Sequence, residues 1–376
     1  MTIKAKTTLA ALSVALMAST AHAGGLDRTT YSPNILFEQG KVYIEGSLAR
    51  VNPNVSGDVT FVPLGVNGVE DISPNYDLFS AGAKFDITDR IAVAFQTFEA
   101  VGSEISYGGP PEFYFPIEVD LHGRAYVGTA KFNITDRVSV FGGVKYLEVG
   151  GDATNLLGPG PAAGDFDFEG SHGHGYIIGA AYSIPDIALR VSLTYETAFE
   201  IDIPTTATSA ALGPFGLNVS GRDTTATIPA AWELYFQTGI APGTLLFGSI
   251  RHTAWSDANI TLFNVNANPD FQITDFSDSM TYSLGVGKQI TDRLSMSVSG
   301  TYEPGDGKPS TLQPTDGKFT LGVGAKYKLT ENLELSGGFS HTWLGDNETD
   351  LGTGVPEADF EDNHAWAFGT KIAVRF

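Results

Sequence analysis

The chain contains no cysteine, so neither disulfide bonds nor thiol chemistry contributes to its stability or function. Basic residues are scarce as well: 22 Lys and Arg stand against 43 Asp and Glu, and the formal net charge is -21. Nucleic-acid-binding proteins carry a basic footprint, so no nucleic-acid partner is expected. Beyond the N-terminus no apolar run reaches the roughly 20 residues of a membrane-spanning helix, so none is expected.

The first 23 residues have the composition of a secretory signal peptide. Two lysines precede an apolar stretch from Leu9 to Ala18, and Ala21-His22-Ala23 fits a cleavage site. We therefore expect residues 1–23 to be a signal peptide and the exported chain to begin at Gly24. The alternative is an uncleaved N-terminal anchor, for which the apolar stretch is short.

One short turn sequence recurs and each time separates two strand-like runs. Ile-Thr-Asp-Arg occurs within residues 86–90, 133–137 and 289–293, and residues 328–332 carry a looser copy. Apolar residues alternate with polar ones on both sides of each copy, a pattern typical of tight β-hairpins. Repeated hairpins predict an up-and-down antiparallel sheet whose edges must be closed or covered.

Alternating short and long connections indicate how this sheet closes. Six short turns and seven long loops separate fourteen predicted strands, an asymmetry typical of transmembrane barrels with periplasmic turns and extracellular loops. The predicted fold is an all-β, transmembrane antiparallel up-and-down β-barrel of 14 strands (41–376) with a short N-terminal plug (24–40). The competing interpretation is a large soluble β-sandwich. The predicted strands are 41–55, 76–87, 91–102, 118–133, 137–149, 174–184, 188–201, 223–240, 244–262, 272–290, 294–303, 317–329, 333–344 and 364–376.

The C-terminal strand favours the membrane interpretation. Trp366, Phe368 and Ile372 share one face, and the chain ends on the aromatic Phe376. An amphipathic final strand ending in an aromatic residue resembles the recognition signal of the outer-membrane assembly machinery, which we expect as a partner. The other expected contacts are outer-membrane lipid and lipopolysaccharide, and the barrel is expected to be a monomer in the outer membrane of a Gram-negative bacterium.

No catalytic constellation stands out in the sequence. Serine and histidine are present, but no local motif singles out a nucleophile, so the chain is not expected to be an enzyme. His172 and His174 could face one metal ion from an extended segment, but spacing fixes no third ligand. Acidic residues at 346–362 match no standard calcium loop and are interpreted as a solvated rim; divalent ions bridging them to lipopolysaccharide are the alternative. No cofactor and no metal are expected.

Two predicted long loops, 150–173 and 202–222, are unusually apolar for extracellular loops, and exposed apolar patches mark binding surfaces. They are interpreted either as a landing site for a hydrophobic solute or as segments that pack together and cap the barrel. The N-terminal segment 24–40 is apolar enough to enter the lumen as a plug; the alternative is a loose periplasmic tail. Candidate ligand-binding residues are Leu156, Leu157, Phe166, Phe168, Leu212, Phe215, Leu217, Ile35, Leu36 and Phe37.

Several motifs in order resemble the FadL-type family of outer-membrane transporters of long-chain fatty acids and hydrocarbons. The resemblance runs from about Ser32 to Phe376. The motifs are Ser32-Pro33-Asn34-Ile35-Leu36-Phe37, Val51-Asn52-Pro53-Asn54-Val55-Ser56-Gly57, Ile228-Pro229-Ala230-Ala231-Trp232-Glu233, Trp255-Ser256 and Ala365-Trp366-Ala367-Phe368-Gly369-Thr370.

The resemblance implies a fourteen-stranded barrel plugged by an N-terminal hatch. Substrate is caught between the third and fourth long loops and leaves sideways at a kink in the third strand. By that likeness the hatch motif lies at Ser32, Pro33 and Asn34. The sequence departs from the family here, because the hatch is short and the motif is Ser-Pro-Asn rather than Asn-Pro-Ala. The kink is expected at Gly102, Gly108 and Gly109, and candidate carboxylate partners are Lys84, Arg190, Lys326 and Lys371.

The predicted function is passive uptake of hydrophobic small molecules, most specifically long-chain fatty acids. They would be captured by the apolar loops and passed through a plugged lumen to a lateral exit. The alternatives are a general porin for polar solutes, an outer-membrane lipid hydrolase and a structural or adhesive barrel without transport.

Overall fold

Inter-strand hydrogen bonding runs continuously around the molecule and closes on itself. In this computed structural model the described residues are 25–61, 65–69, 71–107, 118–154, 165–209, 217–262, 271–272, 274, 276–305, 314–350 and 357–376. In chain order the strands are β1 (Val42–Asn54), β2 (Gly57–Phe61), β3 (Gly65–Val69), β4 (Tyr76–Asp86), β5 (Ile91–Ser106), β6 (Glu118–Asn133), β7 (Val138–Thr154), β8 (Asp165–Ile184), β9 (Leu189–Glu196), β10 (Phe199–Ser209), β11 (Leu217–Ile228), β12 (Ala231–Ala241), β13 (Thr244–Thr253), β14 (Ile260–Leu262), β15 (Phe271–Gln272), β16 (Ser279–Gln289), β17 (Leu294–Glu303), β18 (Lys318–Lys328), β19 (Leu333–Leu344), β20 (Asn347–Asp350), β21 (Glu357–Phe360) and β22 (His364–Arg375).

The wall is an antiparallel barrel of fourteen strand positions, as predicted. β1 pairs with β4 on one side and with β22 on the other, which closes the sheet. Ten positions are continuous strands, and four adjacent positions are each made of two strands in succession: β9 with β10, β11 with β12, β13 with β14, and β15 with β16. A second sheet of four strands, β20-β21-β2-β3, is built from the first and last long connections.

The recurring Ile-Thr-Asp-Arg sequence forms the tight turns at one end of the barrel, here called the turn end. The hydroxyl oxygen of Thr88 accepts hydrogen bonds from the backbone amides of Arg90 (3.2 Å) and Ile91 (3.0 Å). Thr135, Thr291 and Thr330 accept in the same way. Each threonine therefore accepts hydrogen bonds from two backbone amides of its own turn.

The two faces of the wall differ in polarity in the way a bilayer requires. Outward side chains are large and apolar, for example Leu48 (55% exposed), Ile178 (62%) and Phe368 (53%). Inward positions carry buried polar groups such as Thr194 and Ser340. This is the reverse of a soluble barrel and matches a strand wall that faces lipid outside and a polar lumen inside. No helix among the described residues is long and apolar enough to cross a membrane.

Four neighbouring wall positions are interrupted at a similar height. Between β11 and β12 lies Pro229, which has no amide hydrogen for the ladder. Between β13 and β14 the chain forms a 3₁₀ turn, Trp255–Asp257, and Trp255 becomes buried inside. The upper pieces still pair with one another, β10 with β11 and β11 with β14. The interruptions thus shape the barrel interior toward the end opposite the turns, here called the loop end.

The N-terminal segment 25–40 lies inside the barrel. Its 3₁₀ helix, Pro33–Phe37, begins after Ser32, whose hydroxyl accepts from the amide of Asn34 at 3.4 Å. Proline at the first helical position fits because its φ is preset and no amide donor is lost there. The segment contacts inward side chains from several wall strands, as described below.

Several predicted loop boundaries were wrong. β8 begins at Asp165 rather than near residue 174, β7 continues to Thr154, and β10 continues to Ser209. The predicted loops 150–173 and 202–222 are therefore partly strand. Glycine-rich stretches such as Gly-Ser-His-Gly-His-Gly hid the two-residue alternation, because glycine contributes no side chain to either face.

Candidate functional site

An apolar cavity lies inside the barrel near the loop end, beside the interrupted strands. Its volume is about 80 Å³. One wall is the N-terminal segment through Leu26, and the others come from β5, β6, β7, β8, β10, β11, β14 and the turn at Trp255. No Lys, Arg, Asp or Glu lines it within the described part of the chain. Representative lining residues are Leu26, Val101, Phe168, Ile203, Trp255 and Phe276.

The interrupted strands bring Trp255 into this cavity. Trp255 is 4% exposed and packs edge-on against Phe276, with ring centroids 5.7 Å apart. The next residue, Ser256, donates its backbone amide to Oδ1 of Asp278 at 3.0 Å, and Nε2 of His252 lies 3.3 Å from Oδ2 of the same carboxylate. These contacts fix the turn that carries the indole.

The barrel wall is distorted where this cavity approaches the outer surface. The register of β5 against β6 shifts between Glu99 and Val101, and the N-terminal segment bonds to β5 at the same place. The amide of Gly102 donates to the carbonyl oxygen of Leu26 at 2.9 Å, and the amide of Arg28 donates to the carbonyl oxygen of Ala100 at 2.9 Å. A β-bulge bends a strand and re-aims its side chains.

Glycine is required at two positions of this distorted wall. A Cβ at Gly102 would lie 2.8 Å from Nε of Arg28. Gly151 has φ +147°, and a Cβ there would lie 1.9 Å from the carbonyl oxygen of Asp120 on β6. β7 also shifts register against β8 between Val149 and Gly151. Two strands with bulges, β5 and β7, therefore line the apolar cavity.

An open cavity of about 1,050 Å³ lies on the other side of the same bulges. Seven residues line both this cavity and the apolar cavity, so they form the partition between the two spaces. They are Val101, Gly102, Leu121, His122, Val149, Gly150 and Phe168. Its lining is acidic, and two arginines, Arg28 and Arg124, belong to it. The acidic lining residues are Asp77, Glu99, Glu104, Asp120, Glu148, Asp152, Asp167 and Glu169.

A network of ion pairs lies on the inner face of one side of the wall. Glu196 on β9 lies 3.0 Å from Nζ of Lys145 and 2.9 Å from a guanidinium nitrogen of Arg251. Arg251 also lies 3.7 Å from Glu233, the glutamate of the Pro229-to-Glu233 motif. These groups belong to four different wall strands. Buried charges are tolerated only when paired in this way, so the network ties the strands together.

A polar chamber of about 360 Å³ lies on the other side of the N-terminal segment. Its lining combines backbone and side chains of residues 27–38 with inward hydroxyl groups such as Ser47, Ser283 and Thr301. Apolar side chains such as Phe98 and Phe247 line it as well. The chamber is called polar here for its charged side chains, such as Glu303 and Lys318, which the apolar cavity lacks among the described residues. The N-terminal segment thus contributes to the walls of both spaces, with Leu26 in the apolar cavity and Asn34 in the polar chamber.

The four predicted basic residues all point into the lumen, and each is engaged. Nζ of Lys84 donates to the carbonyl oxygens of Glu38 (2.9 Å) and Gly40 (2.6 Å). Arg190 donates to the side-chain oxygen of Asn34, the predicted hatch residue. Lys326 lies 3.7 Å from Glu334, and Lys371 lies 3.0 Å from Glu45. None of the four lines the apolar cavity.

Among the described residues the predicted aromatic and apolar residues divide into three groups. Phe166 and Phe168 lie on β8 in the main buried cluster, rather than on a loop. Ile35, Leu36 and Phe37 form the N-terminal 3₁₀ helix, away from the apolar cavity. Leu217 begins β11. The other calls, Leu156, Leu157, Leu212, Phe215, Gly108 and Gly109, lie outside the described residues.

Local sequence patterns do not identify all of the cavity residues. Leu26 and Val101 become neighbours only through the pairing of the N-terminal segment with β5. The Trp255-Ser256 motif is part of the family resemblance, and the burial of Trp255 explains its place in the site. His172 and His174 lie on β8 as exposed residues, and no metal-ligating group of three or more such side chains occurs among the described residues.

The chain belongs to a family of outer-membrane transport proteins. The model of the family described as "Outer membrane protein transport protein (OMPP1/FadL/TodX)" matches residues 6–376. The protein is therefore located in the outer membrane, and its barrel is a membrane-spanning wall. The family is described by transport rather than by a reaction.

Individual relatives agree in length and fold. The long-chain fatty acid transport protein of Salmonella typhi is 23% identical over 387 residues, which cover 93% of this chain and 85% of that protein. A Pseudomonas aeruginosa FadL homologue superposes with a TM-score of 0.72 at 14% identity, over 95% of this chain and 97% of that one. The P. putida toluene transporter TodX gives 0.67 at 14% identity, over 91% and 92%. The structural matches establish the shared barrel.

Proposed function

We propose that this protein is a passive uptake channel for hydrophobic small molecules and that the apolar cavity is their binding site. The main observation behind the proposal is that this cavity reaches the barrel wall at the bulges of β5 and β7. A molecule held there is separated from the outside of the barrel by Val101, Gly102 and Val149 and their neighbours. Movement through this part of the wall is the proposed lateral exit.

Long-chain fatty acids are the proposed substrates. The name of the Salmonella typhi relative supports them, and the name of the TodX neighbour supports hydrophobic cargo in general. Burial of an acyl chain releases about 0.8 kcal/mol per methylene group, so a few carbons in the cavity give measurable affinity. The uptake needs no energy source beyond the concentration gradient.

The N-terminal segment is the proposed hatch of this channel. It lies across the lumen between the apolar cavity and the polar chamber, and Lys84, Lys131 and Arg190 bind it from three wall strands. Leu26 of this segment lines the apolar cavity, and the backbone of Leu26 and Arg28 is hydrogen-bonded to β5. The position of the segment is therefore coupled to the shape of the cavity. Movement of this segment would therefore change both spaces together.

The apolar segments within residues 150–173 and 202–222 are the proposed capture site on the extracellular side. The double change Leu212→Asp plus Phe215→Asp is expected to weaken uptake while leaving the heat-modifiable barrel intact. Uptake of radiolabelled palmitate by cells without another fatty acid channel measures the effect. Unchanged uptake would exclude a role of this segment in capture.

Trp255 provides a direct probe of the proposed binding site. The chain has four tryptophans, and the other three, Trp232, Trp343 and Trp366, are outward and exposed. Replacing those three by Phe leaves Trp255 as the sole tryptophan, inside the cavity. Bromine quenches indole fluorescence only at short range, so 9,10-dibromostearate is expected to quench this variant in dodecyl maltoside micelles.

A matched protein controls for quenching by fatty acid dissolved in the micelle. The variant that keeps only Trp343 reports the outer surface, so its quenching should rise linearly with added lipid and should not be displaced by unbrominated stearate. Saturable, displaceable quenching of Trp255 alone supports the proposal. Identical, unsaturable quenching in both proteins would refute the cavity as the binding site.

A further inference from the structure

The pairing of β4 with β5 stops partway up the barrel wall. Its last pair toward the loop end is Ser80 with Phe98, although both strands continue beyond it. Farther along, the amide of Ser106 donates to the carbonyl oxygen of Ile72, just before β4, at 2.8 Å. Residues 71–107 are described without a gap, and within them no ladder pair joins β4 to β5 between these two points. This unpaired stretch is here called the window.

Residues 26–28 of the N-terminal segment lie along the β5 edge of the window. The amide of Arg28 donates to the carbonyl oxygen of Ala100 at 2.9 Å, and Asp27 forms an antiparallel bridge with Val101. At this height β5 therefore has the N-terminal segment as its partner in place of β4. The segment completes the hydrogen bonding of β5 but leaves the edge of β4 without a ladder partner on that side.

The side chain of Arg28 reaches across the window from β5 to β4. Its guanidinium lies 3.6 Å from the ring centroid of Tyr76 on β4, and Nη2 lies 3.4 Å from Oε1 of Glu104 on β5. The residue is only 5% exposed. A cation is attracted both to the face of an aromatic ring and to a carboxylate. Arg28 thus joins the two edges by side-chain contacts where the backbone pairing is missing.

Gly102 provides the space in which this side chain lies. Its φ is not positive, so the backbone conformation does not require glycine. A Cβ at this position would instead lie 2.8 Å from Nε of Arg28 and 3.0 Å from the carbonyl oxygen of Leu121. Any larger residue at position 102 must therefore displace the guanidinium from the window.

Arg28 also lies at the junction of two polar spaces. It is the one described residue that lines both the polar chamber inside the barrel and the open cavity outside it. Acidic residues line the open cavity, and a cleft with an acidic lining raises the local concentration of cations. A fixed positive charge therefore separates an acidic space outside the wall from a polar space inside it.

We propose that Arg28 seals the window against water-soluble cations. Its side chain fills the gap between β4 and β5, and its charge repels the cations that the acidic open cavity collects. A guanidinium stays protonated in proteins, so the barrier does not depend on pH. This inference goes beyond the proposed function, because it concerns what the wall excludes and does not depend on any ligand of the apolar cavity.

Thiol modification tests the seal, since the chain has no cysteine of its own. Ser47→Cys places a single thiol in the polar chamber. Two methanethiosulfonate reagents of similar size, the cationic trimethylammonium-ethyl and the anionic sulfonatoethyl compound, are compared on protein in dodecyl maltoside micelles. The ratio of their modification rates, followed by mass spectrometry, reports the barrier to cations and cancels the reactivity of the thiol itself.

Three variants in this background change the seal in different ways. Arg28→Gln removes the charge and should raise the ratio of cationic to anionic modification about tenfold or more, because a unit charge acts strongly at the low dielectric of a narrow passage. Arg28→Lys keeps the charge and should stay close to the parent ratio. Gly102→Ala displaces the guanidinium and should speed modification by both reagents.

Lys318→Gln is the matched control. Lys318 lines the polar chamber, is 4% exposed and lies 3.5 Å from Glu303, so its burial and pairing resemble those of Arg28. It does not line the open cavity. The variant removes one positive charge from the chamber without changing the window, and the ratio should change only slightly.

The outcomes decide the inference in either direction. An equal rise of the ratio in Arg28→Gln and Lys318→Gln would reflect the potential of the chamber as a whole and would overturn the seal. An unchanged ratio in Arg28→Gln overturns it as well. If this variant assembles poorly in the heat-modifiability assay, Gly102→Ala decides: faster modification supports the seal, and parent rates overturn it. Quenching of Trp255 reports ligand binding separately, so the proposed function stands or falls on other data.

Discussion

Nζ of Lys131 donates a hydrogen bond of 2.6 Å to the carbonyl oxygen of Leu36, so a strand of the wall holds the end of the N-terminal 3₁₀ helix. The same ammonium group lies 4.4 Å from the ring centroid of Phe37, and the guanidinium of Arg190 lies 4.5 Å from that centroid. Carbonyl and aromatic contacts to cations replace the water that these buried lysine and arginine groups give up. The hatch proposal depends on these contacts.

Loss of the cationic contacts should loosen the N-terminal segment. We expect the double variant Lys131→Met plus Arg190→Gln to conduct ions more strongly than the parent protein, since charged hydrogen bonds contribute about 1.5–3 kcal/mol each. Single-channel recording in planar bilayers measures this change. Arg293→Gln, at an exposed turn, is the matched control. Equal conductance in all three proteins would argue against a hatch held by these residues.

The threonine turns are expected to stabilise the barrel additively. Replacing Thr88 by Val removes an acceptor used by two turn amides and should lower the free energy of unfolding by about 1 kcal/mol. Because each threonine hydroxyl bonds only within its own turn, the quadruple change at Thr88, Thr135, Thr291 and Thr330 should cost nearly the sum of the single changes. Urea titration of the protein in micelles, followed by gel mobility, measures both. A quadruple variant as stable as the parent would contradict this role.

The side chain of Trp255 should determine how tightly an apolar ligand is held. Trp255→Ala removes a large part of the cavity wall, and we expect a loss of apolar affinity of about 1.4 kcal/mol, or roughly tenfold. Uptake of radiolabelled palmitate at limiting concentration reports the loss. Trp343→Ala removes an outward indole of similar size and should leave uptake nearly unchanged. Similar losses in both variants would indicate general destabilisation of the barrel.

Acid should loosen the turn that carries Trp255. The hydroxyl of Ser256, which donates to Asp278, holds the pKa of that carboxyl below its usual range. Since the pKa is lowered in the folded protein, the contact stabilises the turn above the ordinary aspartate pKa of about 3.9 and is lost as pH falls through the lower folded value. The fluorescence anisotropy of Trp255 should therefore drop below about pH 4.

Asp278→Asn is expected to remove this acid-dependent change, because an amide does not titrate. Its anisotropy should already be lower at neutral pH, as the amide is a weaker acceptor for Ser256. Asp257→Asn, within the same turn but without this contact, should retain the profile of the parent protein. An unchanged profile in Asp278→Asn would exclude the Ser256 contact as its cause.

The strands of the barrel were predictable, and the cavity was not. Two-residue alternation and the turn at Thr88 are local signals, so the fourteen wall positions could be found without the structure. One of the strand interruptions can also be predicted from the sequence, because Pro229 has no amide hydrogen for the ladder. The pairing of Leu26 and Arg28 with β5 joins residues more than seventy positions apart, and no short-range pattern encodes it. The two-residue alternation also did not predict the first part of β8, because its glycines contribute no side chain to either face.

The four interruptions at one height divide one side of the wall into a lower and an upper part, while the other ten strand positions run through both. On that side β9 pairs with β12 below and β10 pairs with β11 above, and the continuous β8 pairs with both β9 and β10. The junction at Pro229 needs no ladder hydrogen bond across it, so it is a natural point for joining sequences from different proteins. Exchange of the upper pieces of these four positions with those of a relative would therefore change the lining of the apolar cavity, to which Ile203, Ala226 and Ile260 belong, and leave the lower pieces as they are.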